Sequence, residues 1–244
     1  AVRNPPMQSL PTDLDIYKVK HTIIPHDGYV LLRADHSQAE IRLACHYGRE
    51  LNMAAIIRSG KNQHQIVSDD LGLPYPVAKR LNFSVIYGIG AETLGINLGI
   101  REAQALKYLN KYHEAYPGFR RLYNGAQELA RKNKYIVMWS GRRRHYNQGE
   151  YKTPIHKASS NLIQGGVAEL MRCAQTRLDT NFHNHDVHQI AQVHDDAIME
   201  VPIDTVEELA PAIRDTMEVR DFFMLPMTID IKWGHNMADE IGSL

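Results

Sequence analysis

"QVHDDAIMEVP" (residues 192–202) sets two adjacent carboxylates, Asp195 and Asp196, between two apolar stretches and directly after His194. The flanking residues read as two strands, so the carboxylates fall at the bend of a hairpin. A polar hairpin tip is ordinary, and a solvated turn explains the pair without any function. The other account needs a cation. Neighbouring carboxylates repel one another unless positive charge neutralises them, and a hard ion such as Mg²⁺ is held by one or two carboxylates plus substrate phosphate oxygens. A third acidic group suits that account, because "VLLRAD" (30–35) is a short apolar strand ending on Asp35, far upstream.

Working outward, "SQAEIRLACHY" (37–47) has helical spacing, and "SGKNQHQ" reads as a loop entering a helix. "GLPYP" (72–76) breaks the chain before "VAKRLNFSVIYG", with Pro76 suited to the first helical position. Residues 101–134 read as amphipathic helices broken at Pro117 and Gly118, and "YIVMWSGRRRHYNQG" as a strand or hairpin with a basic turn. Residues 154–182 form a long predicted helix in which Gly165 and Gly166 either weaken it or admit a close neighbour. A helix over "TVEELAPAIRDTME" and a strand over "MTIDIKWG" complete the pattern, with no internal repeat. "HNHDVH" (183–188) could hold a transition metal, but its place between a helix and a hairpin favours an exposed loop.

With 43% hydrophobic residues among 244, the chain can bury one large core or two small ones. Lys plus Arg and Asp plus Glu both number 28, so a nucleic-acid partner must be met by a local basic face. Cys45 and Cys173 stand singly in apolar runs, as buried reduced thiols do. No run approaches the roughly 20 apolar residues of a membrane span, and no signal pattern opens the chain, so the expectation is a soluble cytoplasmic protein. The first residue is Ala1 rather than Met, which fits a processed start or a piece of a longer chain.

One helix carries a stripe. Lys79, Phe83 and Tyr87 recur every four residues, drifting by about 40° per step, over roughly 12 Å of helix. A cation followed by two rings matches the layout of a nucleoside triphosphate. The simpler alternative is an amphipathic helix that buries both rings while Lys79 snorkels.

In order along the chain, these segments resemble family A DNA polymerases. "NPPMQSLP" (4–11) is similar to the segment ahead of the palm, "LLRADHSQAEIR" (31–42) to the first catalytic motif, and "AKRLNFSVIYG" (78–88) to the nucleotide-binding helix. "IQGGVAELM" (163–171) resembles the primer-template helix, "QVHDDAIMEV" (192–201) the second catalytic motif, and "GHNMADE" the closing segment. The resemblance implies an α+β fold: a palm of antiparallel sheet backed by helices, with a helical fingers subdomain. The implied division is palm at 1–55, fingers at 56–150, and palm again with the catalytic hairpin at 151–244.

For the site, the resemblance implies Asp35, Asp195 and Asp196 as catalytic residues. Asp35, Asp195 and the backbone carbonyl of His36 would hold two Mg²⁺ ions, with Mn²⁺ as a substitute. Gln38, Glu40, His64, Lys79, Phe83 and Tyr87 would bind the incoming dNTP: Glu40 as the steric gate at the sugar 2′ position, His64 at the β-phosphate, and Lys79 on the triphosphate. Phe83, lacking a hydroxyl, is the family's form that disfavours dideoxynucleotides, and Tyr87 would guard the template position. Gln164 and His194 would hold the primer-template DNA. Arg142 and Arg143, with Arg131, Lys132, Lys134 and Arg144, would supply the basic face, unless they form only a solvated turn. Ser37 and Glu40 also fit a capping box.

Several positions depart from the family. Tyr75 stands where an arginine grips the triphosphate, with Arg80 as a conceivable substitute. His36 replaces a Tyr, Ser160 an Asn, Asp196 a Glu and Met237 a Trp. Thumb and exonuclease domains are missing, so the expectation is a DNA-directed DNA polymerase working as a fragment, or as one subunit beside a second polypeptide that carries them. Two other readings remain: a non-catalytic DNA-binding or assembly remnant, and a metal-dependent nuclease or phosphatase using the three aspartates, which leaves Glu40 and the helix stripe unexplained.

Overall fold

The computed structural model describes residues 19–146 and 154–244, so the "NPPMQSLP" motif (4–11) lies outside the described residues. The described chain forms two compact units. The first gathers the described part of Ala1–Ala39 with Ala168–Arg220 and Met227–Leu244; the second comprises Glu40–Val167 and Asp221–Pro226. The helix after the first strand belongs to the second unit.

The first unit is built on a five-stranded sheet. Its strands are β1 (Tyr29–His36), β4 (His188–Val193), β5 (Asp196–Pro202), β6 (Ile229–Gly234) and β7 (Gly242–Ser243), in the order β4-β5-β1-β6-β7 with every pairing antiparallel. Alternate residues of a strand point to opposite faces. On one face Val30, Leu32, Ala34, Ala197, Met199, Val201, Ile229, Ile231 and Trp233 form a core. That core is covered by Met171, Ala174, Leu178 and Phe182 of α8 (Ala158–Phe182), and by Val206, Ala210, Ile213 and Met217 of α9 (Val206–Met217). The other face buries a small cluster of Leu31, Ile198 and Met237 and carries the polar residues Arg33, Asp35, Asp196 and Asp230. Cys173 falls off the buried stripe of α8 and is exposed, correcting the expectation of two buried thiols; Cys45 is buried.

The second unit is helical. It contains α1 (Ala39–Gly48), α2 (Leu51–Arg58), α3 (Gln63–Leu71), α4 (Tyr75–Ile86), α5 (Ala91–Leu98), α6 (Glu102–Ala115) and α7 (Pro117–Asn133), then a hairpin of β2 (Tyr135–Val137) and β3 (Arg143–His145). Local chemistry sets the ends. Asn62 caps α3 through Oδ1, which accepts from the His64 and Gln65 amides, and Gly72 at φ 63 ends it. Pro76 lies in the first turn of α4, one position later than expected, with Tyr75 leading. α1 begins at Ala39 rather than Ser37, because Gln38 takes a left-handed φ of 55 that no helix continues.

Two close approaches bind this unit together. Glu50 is 1% exposed; its carboxylate caps α2 by accepting from the Asn52 and Met53 amides and also accepts from the Gly118 amide at 2.5 Å, at the start of α7. Gly166 brings α8 against Leu43, Tyr47 and Trp139, whose Nε1 donates to the Gly166 carbonyl at 2.8 Å. The glycine pair of α8 thus serves close packing.

Because one buried carboxylate satisfies amides of two helices, Glu50→Ala orphans three donors. It is expected to lower stability by about 2–4 kcal/mol, read as a lower urea midpoint for the helical unit, whereas truncating exposed Glu92 changes it by less than about 0.5 kcal/mol.

Candidate functional site

The polar face of the sheet carries a row of carboxylates. Asp35 of β1 pairs in register with Asp196 of β5 on one side and with Asp230 of β6 on the other, so all three project from the same face. Asp195 sits in the two-residue loop before β5, where its carbonyl accepts from the His36 amide at 3.1 Å. His194, the other loop residue, has φ 57, an uncommon conformation for a residue with a Cβ. Asp196 therefore belongs to the strand rather than to the bend, correcting the sequence reading.

The row is electrostatically uncomfortable. Asp35 is pushed up to about 6, first by burial and then by the charges of Asp195, Asp196 and Asp230. Asp195 and Asp196 are also raised, chiefly by burial. Arg33, two residues before Asp35 on the same face, donates to Asp196 Oδ2 through Nε at 2.8 Å and Nη2 at 2.5 Å. Asp196 Oδ1 stays buried without a partner. Ser37 donates to Asp230 at 2.8 Å.

His36 points the other way. Its ring is 1% exposed, both ring nitrogens lack partners, and burial with the nearby Arg177 holds it down to about 4. Only its backbone carbonyl is left to serve as a ligand. Among the described residues no three His, Cys, Asp or Glu side chains are grouped to hold an ion by themselves. The donor set still fits a hard divalent cation, which takes one or two carboxylates and completes its shell with phosphate and carbonyl oxygens. Buried, mutually repelling carboxylates, one with an orphaned oxygen, are the chemistry such an ion relieves.

In the second unit, α4 buries Ala78, Leu81, Asn82, Val85 and Ile86 and leaves its opposite side outward. Lys79 is exposed and Phe83 is 50% exposed, so the alternative in which the stripe is core does not hold for Phe83. His64 packs on Phe83 with ring centroids 5.2 Å apart and on Tyr75 at 6.4 Å. Burial and then Lys79 hold it below the usual imidazole range. His64, Lys79 and Phe83 thus form one cluster. Tyr87, at the end of α4, donates its hydroxyl to the carboxylate of Glu40 on α1. Arg80 donates to the Asn97 carbonyl at 2.8 Å.

Gln38, Gln164 and His194 are exposed, as are Arg142 and Arg143. Arg143 lies 4.8 Å over the Tyr135 ring, and Arg131 donates to Gln127 at 2.7 Å. Sequence reasoning missed Arg33, Asp230 and Asn82. The first two had a signal, since Arg33 interrupts an apolar run and "TIDIKW" alternates to place Asp230 on one face; Asn82 had none.

The sequence profile of the family described as DNA polymerase family A matches residues 1–239, and the chain belongs to that family. DNA polymerase I of Deinococcus radiodurans is 29% identical over 252 residues, covering 97% of this chain and 26% of its own length. The thermostable DNA polymerase I of Thermus filiformis is 27% identical over 252 residues, covering 97% of this chain and 30% of the relative. The chain thus spans between a quarter and a third of these relatives' length. The structure titled "POL domain of Pol1 from M. smegmatis complex with DNA primer-template and dNTP" superposes with a TM-score of 0.86 at 21% identity, over 97% of this chain and 45% of that one. It shares the fold, and the α+β reading of helices with an antiparallel sheet holds. No helix among the described residues is long and apolar enough to cross a membrane.

Asp35's raised pKa has a definite sign. Native Asp35 binds its proton more tightly than the unfolded chain does, so this group favours folding at low pH, and that contribution is lost as pH rises from about 4 to about 6. Without divalent ions, Asp35→Asn is therefore expected to raise the melting temperature at pH 8 and to leave it nearly unchanged at pH 4, as calorimetry at the two pH values would show.

Proposed function

We propose that this chain performs DNA-templated nucleotidyl transfer, joining a dNTP to a primer 3′ hydroxyl as the palm and fingers part of a DNA polymerase. The observation that carries this reading is the acidic row. Asp35, Asp195 and Asp196 share one end of the sheet's polar face, and burial with the neighbouring negative charges raises the Asp35 pKa to about 6, a shift that a bound cation would reverse. Asp35, Asp195 and the His36 carbonyl would hold two Mg²⁺ ions, or Mn²⁺, which when bound activate the hydroxyl and stabilise charge on the transferring phosphoryl and departing pyrophosphate. Asp196, pinned by Arg33, keeps the set in register and offers its unpaired Oδ1.

The same reaction draws on the outward side of α4. Lys79 and His64 bind the triphosphate, with Gln38 as a further contact. Phe83 packs on the sugar, and Glu40, fastened by the Tyr87 hydroxyl, rejects a 2′ hydroxyl. Gln164 and His194 hold the primer-template, while Arg142 and Arg143 contact its phosphates. The palm and fingers division at 55/56 and 150/151 belongs to this proposal. So does a thumb or exonuclease supplied by further chain or by a second polypeptide. Tyr75 in place of the family arginine favours a second reading, a DNA-binding remnant without catalysis.

Primer extension with Mg²⁺ and dNTPs separates the two. The chain is expected to extend a primer distributively, Asp195→Asn to reduce the rate at least about a thousandfold, and Lys79→Ala to raise the KM for dNTP by roughly tenfold or more. No extension by the unaltered chain, alone or with a thumb-bearing partner, establishes the remnant reading.

A further inference from the structure

Asn82 is 1% exposed in the middle of α4, where an amide needs partners on both ends. It has two. The Tyr112 hydroxyl, on α6, donates to Asn82 Oδ1 at 2.7 Å, and Asn82 Nδ2 lies 2.9 Å from His64 Nδ1 on α3. A line of hydrogen bonds thus runs from a phenol through an amide to an imidazole.

Two arrangements satisfy the amide, and they differ in where the His64 proton sits. In the first, Tyr112 donates to Oδ1, Nδ2 donates to a bare Nδ1, and the ring carries its proton on Nε2. In the second, the amide is flipped: Oδ1 accepts from a protonated Nδ1, Nε2 is bare, and Nδ2 donates to the phenol oxygen. The second leaves the Tyr112 hydroxyl proton with no acceptor in a fully buried site, and an orphaned buried donor is strongly disfavoured. Burial also raises Tyr112 well above the ordinary phenol range, so the hydroxyl keeps its proton and remains a donor. Its ring is fixed by Tyr116 at 4.9 Å and Phe119 at 5.9 Å. The phenol proton, at the dry end of the line, decides the state of the wet end.

We propose that Tyr112 and Asn82 are positioning residues that keep the His64 proton on Nε2, so that the ring presents a neutral N–H donor to the phosphates of an incoming nucleotide. The proposal rests on the triphosphate-binding reading of α4. Its chemistry is specific: a bare Nε2 would set a lone pair against phosphate oxygens, and a doubly protonated ring would orphan the Tyr112 proton by forcing the amide to flip. His64 then contributes direction and Lys79 contributes charge. Phe83, packed on the imidazole, limits ring rotation.

Two-bond proton–nitrogen correlations on chain labelled with ¹⁵N-histidine, with His64 assigned through His64→Gln, read the tautomer without DNA, nucleotide or activity. The unaltered chain is expected to show Nε2 protonated and Nδ1 bare. Tyr112→Phe should lower that preference about fivefold, the equivalent of one neutral hydrogen bond. Asn82→Asp, which can only accept, should draw a proton to Nδ1; if it fails to fold, Tyr112→Phe alone decides. A protonated Nδ1 in the unaltered chain, or a preference unmoved by Tyr112→Phe, overturns the relay. Adding dATP to the unaltered chain should shift Nε2, and a correct tautomer that ignores dATP overturns the phosphate role. A failure of primer extension leaves the tautomer result standing, so the two readings fail separately.

Discussion

The antiparallel pairing of β1 with both β5 and β6 is the constraint on which the site depends. With a side-chain period of two, that register commits Val30, Leu32 and Ala34 to the helix-covered face and Arg33 and Asp35 to the other. A slip of one residue would exchange the faces, placing Asp35 against Met171 and Ala174 and exposing the apolar set. The hydrophobic effect that seats α8 and α9 therefore also aims the carboxylates. Core packing and the acidic row are two consequences of one register.

The second unit separates buried from available groups in the same way, through a helix. α4 spends one side on Leu81, Val85 and Ile86 and offers Lys79 and Phe83 on the other. At the margin between the two sides lies Asn82, the one buried polar residue of that helix, tied to α3 and α6. In the first unit the described residues Gln38, Asp186 and His194 have positive φ, and His194, at φ 57, immediately precedes Asp195.

Much of this was legible in the sequence because it is periodic. The strand carrying Asp35, the hairpin around Asp195, the four-residue spacing of Lys79, Phe83 and Tyr87, and the breaks at Pro76 and Pro117 each follow from local rules. What is not periodic stayed hidden. Two adjacent aspartates look alike in a string, and only the cross-strand register shows that Asp195 is the loop residue and Asp196 the strand residue. The Arg33 clamp, the Asp230 pairing and the Tyr112–Asn82–His64 line join residues distant in the chain: local patterns mark Arg33 and Asp230 as polar positions, but not their partners. Cys173 lies near Met171 and Ala174 in sequence, yet it is turned away from their buried face by about 100° per residue of helix.

The sheet's polar face concentrates carboxylates whose mutual repulsion a divalent cation would relieve. Carbon-detected titration of the Asp35 carboxyl, with and without Mg²⁺, tests it most directly. The account predicts a midpoint near 6 in metal-free solution that falls when Mg²⁺ is added. A midpoint in the ordinary aspartate range, indifferent to Mg²⁺, would contradict it.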